Sequence, residues 1–155
     1  MDKVKKEGRY QRLYTQIEAL MHKCDNPVSR MATIAAVLHH KMEYFFWTGF
    51  YLLNEDKLQV GPYQGPVACQ ELEKNKGVCW AGINKARTVV VEDVHQFPDH
   101  IACDSRSKSE IVVPVKTPEG KIIGVLDVDS SELASFDEVD ARELDKIINL
   151  IFVKY

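Results

Sequence analysis

The sequence predicts a single α+β domain: one central antiparallel sheet with N- and C-terminal helices packed against it. Three observations carry that reading. A chain of 155 residues suits one core, since domains of about 100–150 residues are the common case. Apolar residues recur at helical spacing near both ends and collect in short β-rich runs between them. No repeat, linker or low-complexity segment divides the chain. Residues 1–155 are therefore read as one domain, with N-terminal helices over about 9–42, sheet and loops over about 44–130, and a C-terminal helix over about 136–152.

Each element has its own signal. Tyr10, Leu13, Tyr14, Ile17, Leu20 and Met21 fall at the spacing of one helix face, which predicts a helix over 10–21. Asn26-Pro27 reads as an N-cap followed by proline at the first helical position, and Val28, Met31, Ile34, Ala35 and Leu38 form the stripe of a second helix ending near Met42. Residues 44–53, dense in aromatic and aliphatic side chains, predict a strand. Asn54-Glu55-Asp56-Lys57 turns it into a second strand over 58–63. The stretch 64–86 is less regular, with a short helix over 77–86, and a strand follows over 88–91. Residues 94–109 show little periodicity and read as a long loop with one helical turn; a loop of that length in a small domain is more often functional than idle. Strands over 111–116 and 121–128 are joined by Thr117-Pro118-Glu119-Gly120 as a hairpin turn. Ser135-Phe136-Asp137-Glu138 opens a capped helix running to about Phe152, with Leu144, Ile147, Ile148 and Ile151 facing inward.

Composition narrows the function classes. Hydrophobic residues at 45% and charged residues at 28% are globular values, which excludes disordered, collagen-like and coiled-coil classes. Twenty Lys+Arg against 23 Asp+Glu give a net charge of −3, so nothing electrostatic favours nucleic acid or an anionic membrane, and the basic cluster at residues 3–6 is short and terminal. No apolar run approaches the ~20 residues of a membrane span, and the N-terminus leads into no signal-peptide core. A cytoplasmic protein is expected. In that reducing compartment the four cysteines Cys24, Cys69, Cys79 and Cys103 do not read as a structural disulfide framework. Their separations do not match a zinc site either, so no metal is expected. Cys24 reads as a buried, inert thiol.

Three groups of residues could carry chemistry. Asp127 and Asp129, two apart on a strand, leave the same face of the sheet. Pairing Lys116 with Lys121 across the turn places Glu110 opposite Asp127, so three carboxylates share one small region. Crowding in a partly buried site raises the pKa of at least one, which makes a neutral acid able to donate a proton; solvated strand ends are the alternative. Trp47, Gly49 and Tyr51 alternate along one strand. With a gap at Gly49 they form a box suited to a thioether methyl or a cation, or they are simply core. Cys103 lies in the long loop near His95 and His100, where a lowered pKa makes a nucleophile. Cys69 and Cys79 flank an irregular segment, and either could form a disulfide with Cys103.

These residues form a recognisable series. Trp47-Thr48-Gly49-Phe50-Tyr51, Gly61-Pro62-Tyr63-Gln64-Gly65, Ala68-Cys69 and Gly77-Val78-Cys79 come first. Asp93-Val94-His95-Gln96-Phe97-Pro98-Asp99-His100-Ile101-Ala102-Cys103-Asp104-Ser105 follows, then Ser109-Glu110-Ile111-Val112-Val113-Pro114 and Gly124-Val125-Leu126-Asp127-Val128-Asp129-Ser130. In this order, across residues 10–152, they resemble the free methionine-(R)-sulfoxide reductases, which are stand-alone GAF domains. The resemblance implies a GAF-like fold, with Cys103 as nucleophile and Cys69 and Cys79 as recycling thiols, Cys69 the main one. It implies Trp47 and Tyr51 around the substrate methyl and side chain, Glu110, Asp127 and Asp129 around the sulfoxide oxygen and amino group, and Ile101 and Ala102 in the substrate-binding set. Trp80 departs from the small residue common after the second recycling cysteine, which bears on how freely Cys79 moves. The implied activity is thiol-dependent reduction of free methionine-(R)-sulfoxide, with thioredoxin as reductant, no bound cofactor and a homodimeric assembly. The competing reading is a GAF-type module that binds a small molecule without turning it over.

Overall fold

The structure, a computed structural model, describes residues 1–100 and 103–155. Four helices surround one six-stranded sheet: α1 Lys3–Met21, α2 Pro27–Lys41, β1 Trp47–Asn54, β2 Lys57–Gln64, β3 Glu71–Leu72, α3 Gly77–Lys85, β4 Val89–Val91, β5 Ser109–Lys116, β6 Ile122–Ser130 and α4 Glu138–Ile148. Single 3₁₀ turns lie at Val94–Gln96 and Asn149–Phe152. The strand order is β3-β2-β1-β6-β5-β4, antiparallel throughout. This is the α+β arrangement the sequence predicts.

Local chemistry sets the helix boundaries. The Asn26 side chain accepts from the amides of Val28 and Ser29 ahead of Pro27 in α2, which occupies donors that a helix N-terminus leaves unpaired. The cap of α4 is Asp137 rather than Ser135: it accepts from Val139 and Asp140, and the Asp140 side chain accepts in return from the Asp137 amide. Helix α1 begins seven residues before the predicted start. Residues 3–9 carry no apolar stripe, but Asp2 caps them and the Lys6 ammonium is drawn inward onto Asp140, at 2.6 Å.

The two faces of the sheet are covered differently. Helices α1, α2 and α4 pack on one face over Phe50, Ile111, Val113, Leu126 and Val128, in the larger core with Ile17, Ile34, Leu38 and Leu144. Burial of each such aliphatic side chain stabilises the fold by about 1.5–3 kcal/mol. The opposite face carries α3 and the loops around it, over a smaller cluster that includes Trp47, Tyr51, Cys79, Trp80, Val112 and Val125. Strands β5 and β6, buried on both faces, therefore separate a helix-packed core from a loop-covered one. Among the described residues no helix is long and apolar enough to cross a membrane.

Candidate active site

Strand alternation puts Asp127 and Asp129 on the loop-covered face, and Glu110 of β5 joins them there. The cross-strand pairing differs from the expected one: Glu110 lies opposite Asp129, and Asp127 opposite Val112. A bulge is the cause. Lys116 pairs with Ile122 instead of Lys121, and the register shifts again between Val115 and Lys116. The total slip is two residues. Because side chains alternate with period two, an even slip preserves the face, and the three carboxyls stay together. They are not solvated strand ends either, since Glu110 and Asp127 are only 6% and 5% exposed.

This cluster receives no cation. None of the salt bridges among the described residues reaches Glu110, Asp127 or Asp129. Asp127 Oδ1 is buried without a hydrogen-bond partner among the described residues. Burial and then the charge of Asp129 push the Glu110 carboxyl up to about 8. Asp127 is raised by burial and Glu110, and Asp129 by burial and Asp127, both well above the usual carboxylate range. Near neutral pH the cluster holds protons, so it is a store of acid beside a cavity. Cys79, delivered by α3, stands beside Asp127. Burial, followed by the charges of Asp127, Glu110 and Asp129, raises its thiol strongly, which leaves it a poor nucleophile.

The aromatic wall stands next to the acids. In the β1–β6 pairing Trp47 is opposite Asp129, and Gly49 is opposite Asp127. The expected gap at Gly49 is absent. A Cβ at Gly49 would meet Tyr63 Cβ at 2.3 Å and the Trp47 ring at 2.7 Å, because Trp47 lies across this position and stacks on both Tyr63 and Tyr51, with centroids 5.2 and 5.7 Å away. The glycine makes room for the indole rather than for a ligand. Two hydrogen bonds tie the wall to the segment after β2: Trp47 Nε1 donates to Pro66 O at 3.0 Å, and Tyr51 OH donates to Cys69 O at 3.0 Å. Gly65 (φ 118°) lets that segment cross close over Phe46 and Trp47, in a conformation L side chains rarely adopt.

That segment ends at Cys69, which is disulfide-bonded to Cys103 across 34 residues, Cα–Cα 5.6 Å. The bond joins the β2–β3 connection to the loop before β5 and closes one side of a cavity of about 60 Å³. Trp47, Tyr51, Cys79, Cys103, Glu110, Asp127 and Asp129 all line it. Of the remaining expected residues, Ile101 and Ala102 lie outside the described residues. His100 lines the cavity, with Nδ1 buried and without a partner among the described residues; burial, then His95, lowers its pKa. Cys24 is exposed, which corrects the expectation of a buried thiol, since the turn between α1 and α2 offers it no core to enter. Trp80 is buried, and its indole donates to Leu72 O at 3.3 Å, so this residue anchors the helix that carries Cys79.

Sequence reasoning did not find Phe46 or Arg106. Phe46 lines the cavity just before β1, and the Arg106 guanidinium lies over its ring at 4.9 Å while also pairing with Asp104 at 2.7 Å. Both are loop contacts made by tertiary approach, with no periodicity to reveal them.

A family described as "GAF domain" matches residues 32–151. "GAF domain-containing protein A" of Dictyostelium discoideum is 45% identical, covering 97% of this chain and 95% of that protein. A Saccharomyces cerevisiae protein named "Free methionine-R-sulfoxide reductase" is 37% identical, over 94% of this chain and 85% of its own length. The structure of the free methionine-R-sulfoxide reductase from Neisseria meningitidis, described as in complex with its substrate, is similar with a TM-score of 0.90 and 43% identity, covering 98% of this chain and 89% of that one. The acids, the aromatic pair and the paired cysteines thus stand in a fold shared with that enzyme, and the chain belongs to the free methionine-R-sulfoxide reductase family of GAF domains.

Proposed function

We propose that this protein reduces free L-methionine-(R)-sulfoxide to L-methionine, with Cys103 as nucleophile and Cys69 as the thiol that resolves it. One observation carries the reading above all: the Cys69–Cys103 disulfide borders the same small cavity in which three crowded carboxyls, two of them buried, hold protons. Sulfoxide reduction by a thiol needs both. The sulfur becomes electrophilic as its oxygen gains a proton, and general-acid help of that kind is worth about 10²–10⁴-fold in rate.

The reaction starts with the disulfide reduced. The Cys103 thiolate attacks the sulfoxide sulfur while a carboxylic acid of the Glu110, Asp127 and Asp129 group protonates the oxygen. Oxygen passes to sulfur of the enzyme, methionine leaves, and Cys103 is left as a sulfenic acid. The Cys69 thiol condenses with it, which forms the disulfide and releases water. An external dithiol, for which thioredoxin is the expected donor, returns two electrons and two protons by exchange. Trp47 and Tyr51 receive the methyl and side chain, and the residual negative charge of the acids attracts the substrate ammonium. Cys79, buried and held as a thiol, serves as the secondary recycling residue. No metal or organic cofactor takes part in any step. The cycle suits a reducing cytoplasm, and the working unit is a homodimer.

The test is consumption of NADPH with racemic free methionine sulfoxide, thioredoxin and thioredoxin reductase. Consumption should stop at half the racemate and vanish in Cys103→Ser. Cys69→Ser should release one methionine per enzyme and then recycle poorly. Activity retained in Cys103→Ser would overturn the nucleophile. No consumption at all, with thioredoxin active on a control, favours a ligand-binding module.

A further inference from the structure

We propose that the acid pocket is also a binding site for a zinc-class divalent cation, held by Cys79 Sγ and the carboxylates of Glu110 and Asp127, and that the ion blocks the pocket instead of serving its chemistry. The blocking role rests on the reductase reading given above. The binding itself does not.

The donor set comes first. One ligand atom from each of these three buried residues lies within 4.8 Å of the others. Zinc with one sulfur and two oxygen ligands has bonds of about 2.0–2.3 Å, so its tetrahedral ligands sit about 3.3–3.8 Å apart; side-chain movement of about 1 Å closes the site. The second observation is independent of the clustering. Asp127 is only 5% exposed, and its Oδ1 has no hydrogen-bond partner. A buried carboxylate oxygen without a donor costs free energy until something positive or protic reaches it. No Lys or Arg among the described residues does so.

The chemistry of the set selects the ion. A thiolate with two carboxylates suits zinc, whereas magnesium and calcium require mainly oxygen ligands in larger number. The Cys79 proton and any protons held on Glu110 and Asp127 leave to solvent on binding, as coordination deprotonates a thiol outright. Three protein ligands leave the fourth position of the ion facing the cavity. The carboxyls bound to it no longer hold a proton for the sulfoxide oxygen, and the ion takes the place of the substrate ammonium. Zinc is therefore a competitive inhibitor. The site is available in the disulfide form, because Cys79 takes no part in the Cys69–Cys103 bond.

The test uses the full chain carrying Cys24→Ser and left oxidised, so that Cys79 is the one remaining thiol. It is titrated with Co²⁺, and the thiolate-to-cobalt charge-transfer absorption in the near ultraviolet is read. One Co²⁺ per chain should bind, Zn²⁺ should abolish the band, and Cys79→Ser should lack it. Asp127→Asn, nearly isosteric and so a safeguard if Cys79→Ser misfolds, should weaken binding by at least the roughly 10–100-fold that even an outer hydrogen-bond partner of a metal ligand is worth. Absence of the band in excess Co²⁺, or a band unchanged in folded Asp127→Asn, overturns the site. In the reduced enzyme, Zn²⁺ should raise the apparent KM for methionine sulfoxide without changing kcat, and non-competitive inhibition overturns the blocking role. Reductase activity in a protein with no cobalt band overturns the metal site and leaves the reductase reading intact. A cobalt band in a protein that reduces no sulfoxide supports the site and removes the reductase reading.

Discussion

The sheet separates two buried polar clusters built from similar groups and completed in opposite ways. On the helix-packed side, Asp140 is wholly buried, yet every lone pair it offers is answered. Tyr10 and Tyr44 donate to Oδ1 at 2.6 and 2.5 Å, while Lys6 and the Asp137 amide donate to Oδ2 at 2.6 and 2.9 Å. Lys6 also reaches Ser135 O at 2.9 Å and Asp137 at 3.2 Å. On the pocket side, Glu110, Asp127 and Asp129 have, among the described residues, no cation and one orphaned oxygen. A buried network with every group satisfied rigidifies a fold, and one left incomplete costs stability. The first cluster is thus a structural joint tying α1 to α4. The second leaves an oxygen for a ligand to meet, as the proposed reaction requires.

The largest effect should come from the acid cluster of the pocket, tested at Glu110. Glu110→Gln should lower kcat by about 10²–10⁴-fold, the range of general-acid help, while the urea midpoint stays level or rises because a buried acid without a cation has been removed. Turnover at the parental rate would break the comparison by making Glu110 merely structural. The same group predicts a pH dependence of definite sign. Its carboxyl sits at about 8 in the folded protein against an ordinary 4.5. Between those values the folded state keeps a proton that the unfolded chain has lost, so stability falls as pH rises from about 4.5 to 8. With the acid form of Glu110 as the proposed donor, kcat/KM should fall above about pH 8, and Glu110→Gln should flatten the stability trend. The helix side behaves oppositely. Burial raises the Asp137 carboxyl, but the Val139 amide and Lys6 outweigh it and hold the group below 3.8. Its contribution is present above that value and is lost as pH falls through the lowered pKa. Urea midpoints measured across this range should show the two sides weakening at opposite ends.

Next in size is Asp140→Asn. Removing one partner of a buried ion pair costs about 3–5 kcal/mol, measured here by urea unfolding. The folded fraction at low temperature should keep its kcat and KM, since Asp140 lies across the sheet from the pocket. A fall in kcat at full folding would mean that the two clusters are coupled through β5 and β6.

Sequence pattern revealed the two sides unequally, for physical reasons. The acid triad was legible because a strand shows its period in the sequence, and Asp127 and Asp129 interrupt an otherwise apolar run on that period. Their exact opposition to Glu110 was not, since it depends on a bulge near Lys116 that leaves no mark on alternation. The early start of α1 was also hidden. Lys6 enters the interior for Asp140, 134 residues away, so the residues that stabilise that turn are outside any local window. The roles of the three cysteines came from the resemblance as a whole; their positions left both Cys69 and Cys79 open as partners of Cys103. The pattern marks Gly49 on the right strand and face, but Trp47 and Tyr63 rather than a ligand fill the space beside it, because packing decides what fills a space that a pattern can only mark.

That last position supplies the smallest and most selective prediction. At Gly49 a methyl group would have to displace the Trp47 ring and also push Tyr63, whose Cβ is fixed by the backbone, away from β1. Overpacking of this kind costs about 1–3 kcal/mol, visible as a lower urea midpoint. Trp47 stacks on Tyr51 and is anchored to Pro66 near Cys69, so its displacement disturbs the wall proposed to receive the substrate side chain while leaving Glu110 and its proton in place. Gly49→Ala should therefore raise KM for methionine sulfoxide more than it lowers kcat, and should leave the alkaline limb of kcat/KM unmoved. A shift of that limb would show that the aromatic wall sets the acidity of the cluster, and the pocket would then have to be treated as one coupled unit instead of a binding wall beside a proton store.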